Sequence, residues 1–131
     1  MQFAVNAGEA VLLRVGGFDS GGLGILTISS DIPPANNDCA NAAPIAAGPQ
    51  LATTHNATTD GPALPPTCNQ GTGLNFVNDV WFAHTAECTG TLTVSTCNGA
   101  SFDTRMAAYS GACDGLSLLA CNDDAPGCLA N

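Results

Sequence analysis

Residues 78–124 read NDVWFAHTAECTGTLTVSTCNGASFDTRMAAYSGACDGLSLLACNDD, and this stretch decides the fold. Residues 80–85 and 91–96 alternate apolar and polar side chains and are rich in β-branched and aromatic types, which predicts two strands joined by a turn at 87–90. Further breaks at Asn98-Gly99, Ser110-Gly111 and Asp114-Gly115 delimit strands over 102–109 and 116–120. No window of ordinary helix length repeats its apolar residues every three to four positions. The expectation is an antiparallel meander with short loops, and hence an all-β domain.

Working outward, residues 1–30 predict three more strands, at 2–6, 10–15 and 23–28, separated by Ala7-Gly8-Glu9 and the glycine-rich 16–22. Residues 29–37 (SSDIPPANN) break that pattern, because two prolines do not fit a central strand and the Asp, Asn and Ser around them favour turns. Three parts follow: 1–30 as three strands, 31–37 as a Pro-containing linker, and 38–131 as the main body. Within the body, 38–43 predicts one helical turn capped by Asn37 or Asp38. Residues 44–66 offer only weak strands at 50–54 and 57–59, and 70–75 reads as a loop.

The chain has 131 residues, 10% of them charged, against a usual value near 25%. Small residues dominate, as in turn-rich β-proteins. Two basic residues, Arg14 and Arg105, face eleven acidic ones, giving a net charge of -9. No basic patch exists to meet phosphates, which excludes nucleic acid as a partner. No apolar run approaches the roughly 20 residues of a membrane-spanning helix. Seven cysteines without a C-x-x-C, and without His55 or His84 at a zinc-ligand spacing, predict disulfides in an oxidising, extracellular setting rather than a metal knot. The first residues lack the basic and apolar regions of a signal peptide, so the expectation is a piece or processed form of an exported protein.

The segments Asn37-Asp38-Cys39-Ala40-Asn41-Ala42, Asn78-Asp79-Val80-Trp81-Phe82, Cys88-Thr89-Gly90, Ser95-Thr96-Cys97, Phe102-Asp103-Thr104, Tyr109-Ser110-Gly111 and Ala120-Cys121-Asn122-Asp123-Asp124 together resemble a bacterial secreted repeat related to the pre-peptidase C-terminal domain. The resemblance implies a jelly-roll β-sandwich found in large secreted or surface proteins, with binding to matrix or surfaces, sometimes with calcium, and no catalysis. In such repeats, strands similar to those of 1–28 follow the Cys121-Asn122-Asp123-Asp124 segment. Here they precede the body, so the order is similar to a circular permutation, and the resemblance implies that 1–28 complete either their own sandwich or a neighbour's.

Candidate sites are few. Gly17-Phe18-Asp19-Ser20-Gly21-Gly22 has the form of a serine nucleophile loop, yet both histidines follow it and Asp-Ser-Gly is ordinary hairpin-turn chemistry. Asn122, Asp123 and Asp124, with Asp38, could give oxygens to Ca²⁺, or could cap turns through Asx hydrogen bonds. No cofactor is required. His84 reads as a structural strand residue, His55 as an exposed loop residue, and Trp81 and Tyr109 as packing rather than a sugar platform. Asn56-Ala57-Thr58 has the form of a glycosylation sequon.

The meander also predicts disulfide pairing. Cys88 and Cys97 sit at opposite ends of a strand about 20 Å long and cannot bridge. Following the turns, Cys88 pairs with Cys113 and Cys97 with Cys121, with Cys128 as its competitor. Cys39 then pairs with Cys68, and Cys128 is the free or intermolecular thiol.

The functional expectation is a non-enzymatic extracellular subunit that joins copies of itself end to end, or one repeat of a large surface protein. Strands from 1–28 would be given to a neighbour, with Phe3, Val5, Val11, Leu13 and Val15 from the first two strands and Ile25 and Ile28 from the third as interface residues. The alternative is a matrix-, polysaccharide- or calcium-binding module attached to a secreted enzyme.

Overall fold

The computed structural model describes residues 3–29, 31–68 and 76–128. The chain separates into two units, Met1–Ser30 and Asp31–Asn131. Among the described residues there is no α-helix, and the regular structure is short strands with two turns of 3-10 helix. The protein is a small all-β chain.

In the second unit the first 3-10 turn, Cys39–Asn41, follows Asp38, whose extended backbone (φ -105°, ψ 145°) makes it the N-cap residue although its side chain makes no capping bond. Strand β1, Ala43–Pro44, then pairs in parallel with β2, Phe82–Ala83. Pro44 is tolerated because its missing N–H falls on the side away from β2, whose bonds come from the amides on either side of it. The amides of Ala43 and Ile45 donate to the carbonyls of Trp81 and Ala83 at 3.0 and 2.9 Å, and the Trp81 amide donates to Asn36 O at 2.9 Å. His84 Nδ1–H closes the far end on Ile45 O at 3.0 Å, which gives this histidine a structural partner.

Strands β3, Met106–Ser110, and β4, Ser117–Asn122, form an antiparallel hairpin with Met106 opposite Asn122 and Ser110 opposite Ser117. A register shift lies between Ala108 and Tyr109. The turn requires glycine at 111: its φ is +95°, and a Cβ there would lie 2.6 Å from Gly115 O.

Three of the expected strands in the second unit change. Residues 80–85 contract to β2, the strand over 91–96 is absent, and 102–109 begins only at Met106. Alternation gives a strand a face but not a partner, and the parallel partner of β2 comes from residues 43–44. Residues 50–54 and 57–59 form no strand either. The 70–75 loop lies outside the described residues, apart from the flanking Cys68 and Phe76.

The disulfides correct the meander. Cys39 bridges Cys113, Cys68 bridges Cys121, and Cys97 bridges Cys128, while Cys88 is a free, exposed thiol. The expected pairs Cys39 with Cys68, Cys88 with Cys113 and Cys97 with Cys121 do not form, and Cys128 is not the free thiol. The reason is the missing strand at 91–96, without which nothing carries the chain from Cys88 back to meet Cys113. Instead β1 lies beside β2, and Trp81 packs on Tyr109 with ring centroids 5.9 Å apart, joining the Cys39 region to the hairpin whose turn carries Cys113. Three intramolecular bridges are compatible with an oxidising environment.

Buried residues are sparse: among those described, Ala57, Leu64, Cys68 and Asn37. The centre of the second unit is therefore the 57–68 segment, held by hydrogen bonds and disulfides more than by large apolar side chains.

The first unit, taken by itself, has no strand or helix among its described residues, against three expected. Its hydrogen bonds there belong to one turn, where the Glu9 amide donates to Asn6 O at 3.0 Å and the Asn6 amide to Glu9 Oε2 at 2.9 Å. A second bend lies at 18–20, where a Cβ on Gly17 would run into Ser20 O. Asp19-Ser20 lies in this bend, with no strand on either side of it among the described residues. No helix among the described residues is long and apolar enough to cross a membrane.

Candidate functional site

Two Asn-Asp pairs, Asn37-Asp38 and Asn78-Asp79, converge on residues 57–60. Asn37 Nδ2 donates to Thr58 Oγ1 and to Asp38 Oδ1, each at 2.7 Å, and the Thr58 amide donates back to Asn37 Oδ1 at 2.6 Å. From the other side, Asn78 Nδ2 donates to Ala57 O at 2.6 Å, its amide to Thr59 Oγ1 at 3.1 Å, and the Asp79 amide to Thr58 O at 3.1 Å. Asn78 has φ 56° and Asn56 has φ 60°, left-handed values that asparagine tolerates better than other non-glycine residues. The sequon residue Thr58 is thus a member of this network.

Asp60 ties in two further elements. Its Oδ2 accepts the Cys39 amide at 3.0 Å and its Oδ1 accepts the Trp81 indole N–H. Gly61, at φ +90°, lets the indole lie close, since a Cβ there would sit 2.6 Å from Trp81 Cζ2. Asp79 is half-buried, and its Oδ1 is buried without a hydrogen-bond partner. Burial raises its pKa above the ordinary carboxylate value, with the charge of Asp60 adding to the rise against the pull of a backbone hydrogen bond. Burial first, and then Asp79, also raises the Tyr109 phenol. This assembly of Asp60, Asp79, Trp81 and Tyr109 did not emerge from sequence reading, because its bonds link residues about twenty positions apart with no local pattern.

The expected calcium ligands divide. Asp123 and Asp124 gather with Asp103, their ligand atoms within 4.8 Å of one another. Asp38 is not in this group and belongs to the Asn37 network. Asn122 is the last residue of β4, paired with Met106. Arg105 grips both oxygens of Asp123, Nε to Oδ1 at 3.0 Å and Nη2 to Oδ2 at 2.8 Å. The hydrogen bond to Asp123 is the main cause that raises the Arg105 pKa. A calcium ion takes six to eight oxygens, whereas here the most buried carboxylate already serves a guanidinium. Within the cluster Asp123 is committed to an ion pair with Arg105, and Asp103 and Asp124 stand beside it.

An open depression of about 490 Å³ is lined by Thr54, His55, Asn56, Val77, Asn78, Phe102 and Asp103. His55 is exposed, and its amide bonds Thr53 Oγ1 at 3.2 Å. Its imidazole has no hydrogen-bonded nucleophile among the described residues.

The expected interface residues Phe3, Val5, Val11, Leu13, Val15, Ile25 and Ile28 are all exposed. Leu12 and Phe18 are each 99% exposed, Leu23 108% and Ile25 96%. Ordinary proteins scatter single apolar residues over their surface, but so many within one thirty-residue segment form an apolar surface without cover.

No protein-family model, no curated protein and no solved structure matches the chain, and none of the three comparisons links it to the pre-peptidase C-terminal group.

Proposed function

We propose that the protein is a non-enzymatic extracellular structural subunit that joins copies of itself end to end, or forms one repeat of a large surface protein. In this reading the apolar segments of 1–28 complete the β-sandwich of a neighbour as added strands, in the permuted order suggested by the resemblance to secreted repeats. The observation that carries it is the first unit: strongly apolar, exposed at every described residue, and hydrogen-bonded only within its own turn among the described residues. Strand addition supplies such a segment with a ladder of main-chain hydrogen bonds and a cover for alternate side chains. The three disulfides support the extracellular setting.

Light scattering on the intact chain across a wide concentration range tests the proposal. Multimers that grow with concentration are expected. A monomer at every concentration overturns it, and if that monomer is retained on a polysaccharide or collagen matrix, the protein is a binding module instead.

A further inference from the structure

The open depression beside His55 lies wholly within the second unit and holds about 490 Å³. Strand addition does not use it. Its apolar lining is Val77, 76% exposed, and the Phe102 ring, 47% exposed. Its polar lining is rich in acceptors. Asn78 spends its Nδ2 on Ala57 O at 2.6 Å, which leaves its Oδ1 to accept. Asp103, when ionised, can only accept. Among the described residues no hydrogen bond engages the side chains of His55, Asn56 or Asp103, and each has acceptor capacity to offer. No lysine or arginine lines the depression. Arg105, bonded to Asp123, also feels the charge of Asp103, so the field there is partly balanced, while the chain as a whole carries a net charge of -9.

The complement of this lining is a cation that donates hydrogen bonds and brings an apolar stem. A calcium ion takes six to eight oxygens, and Val77 and Phe102 supply none. An anion would meet Asp103 with no cation in the lining to receive it. A neutral sugar would find acceptors but would gain nothing from the attraction of an aromatic face for positive charge. A primary ammonium is a compact charge with three donors and no acceptor, and its methylene stem packs on apolar surface while the head stays wet. We propose that this depression binds a primary alkylammonium, the side chain of a lysine on a different protein. Its head meets the oxygens of Asp103, Asn56 and Asn78, and its methylenes lie on Phe102 and Val77. The chain has no lysine of its own, so a second copy does not supply this side chain, and the site stands apart from the assembly reading.

Saturation-transfer NMR on the full chain tests it, because the method observes the small molecule and serves for a monomer or an assembly alike. The probes are n-butylammonium, n-butanol, methyl β-glucoside and a short blocked peptide with a single lysine. The ammonium and the peptide are expected to bind saturably, more weakly as salt rises, and the two neutral probes are not. Asp103→Asn keeps the size of the side chain and weakens both by about fivefold. Phe102→Leu keeps the apolar area without the ring face and weakens both by about two- to fivefold. Unchanged Trp81 fluorescence shows that each variant is folded, as expected at exposed positions. Butanol binding as well as butylammonium shows that charge is not read, and glucoside binding in place of the ammonium makes the depression a sugar site; either overturns the proposal. So does ammonium binding that both variants leave unchanged, or no binding of any probe. Binding of the free amine without the peptide overturns the protein source of the lysine.

Discussion

Asp79 sits where two demands conflict. Its backbone amide is needed by Thr58 O, and its side chain is thereby carried beside Asp60 with one oxygen buried and unpartnered. Because burial and Asp60 raise its pKa in the folded state, the folded protein binds this proton more tightly than the unfolded chain does. The contribution of Asp79 to stability is fully present below the ordinary carboxylate pKa of about 4 and is lost as pH rises through the raised folded value. Asp79→Asn removes that loss. The variant is expected to be more stable than the parent at pH 7 and to lose less stability as pH rises above the ordinary carboxylate value of about 4, as read from urea midpoints. An unchanged pH dependence in the variant would show that Asp79 does not titrate within the fold. Sequence alone marked Asn78-Asp79 as part of a motif, but the motif's bonds to residues 57–59 and its meeting with Asp60 required the folded chain. The same holds for Asp103 and Arg105, which sequence reading left out of the acidic site and which close it from the segment just before β3.

At the scale of elements, the β3–β4 hairpin was legible and the rest of the sheet pattern was not. Gly111 and the Asp114-Gly115 break announced its turn, and the observed strands fall within two residues of the expected ends except at the start of β3. The β1–β2 pair was invisible because two residues give no period, and a parallel partner lies far away in sequence. What holds such short elements is the Asn37 side chain, which joins the 36–39 segment to 57–58 through one donor and one acceptor. Asn37 is buried, so Asn37→Ala leaves the Thr58 amide and hydroxyl without these partners. The expected cost is about 2 kcal/mol, in line with leaving a buried polar group unsatisfied. Chemical denaturation of the intact chain measures it. A cost under about 0.5 kcal/mol would mean that water replaces the asparagine without strain.

For the whole molecule, stability has few apolar sources, since the buried apolar residues described are Ala57, Leu64 and Cys68. A fully buried Leu contributes only about 2 kcal/mol, and ordering each residue costs about 1–2 kcal/mol, so this core cannot hold the second unit alone. The disulfides restrict the unfolded chain instead. They span sequence separations of 74, 53 and 31 residues, and loop-closure entropy assigns each about 4 kcal/mol, slightly more for the longest. The pairing also decides what each bridge joins. Cys39–Cys113 ties the segment before β1 to the turn of the hairpin, and Cys68–Cys121 ties the end of the 57–68 segment, where Cys68 is buried, to β4. Replacing Cys39 and Cys113 together by Ser is therefore expected to lower stability by about 4 kcal/mol and to loosen the contact between Trp81 and Tyr109. Full reduction should unfold the second unit at room temperature, with Trp81 emission moving to that of a solvated indole. Cys88, free already, should react with a thiol reagent before reduction, and the other six only after it. A reduced chain that keeps its native Trp81 emission and a cooperative thermal transition would show that the hydrogen-bonded network around Asn37, Asp60 and Asn78 suffices without the bridges.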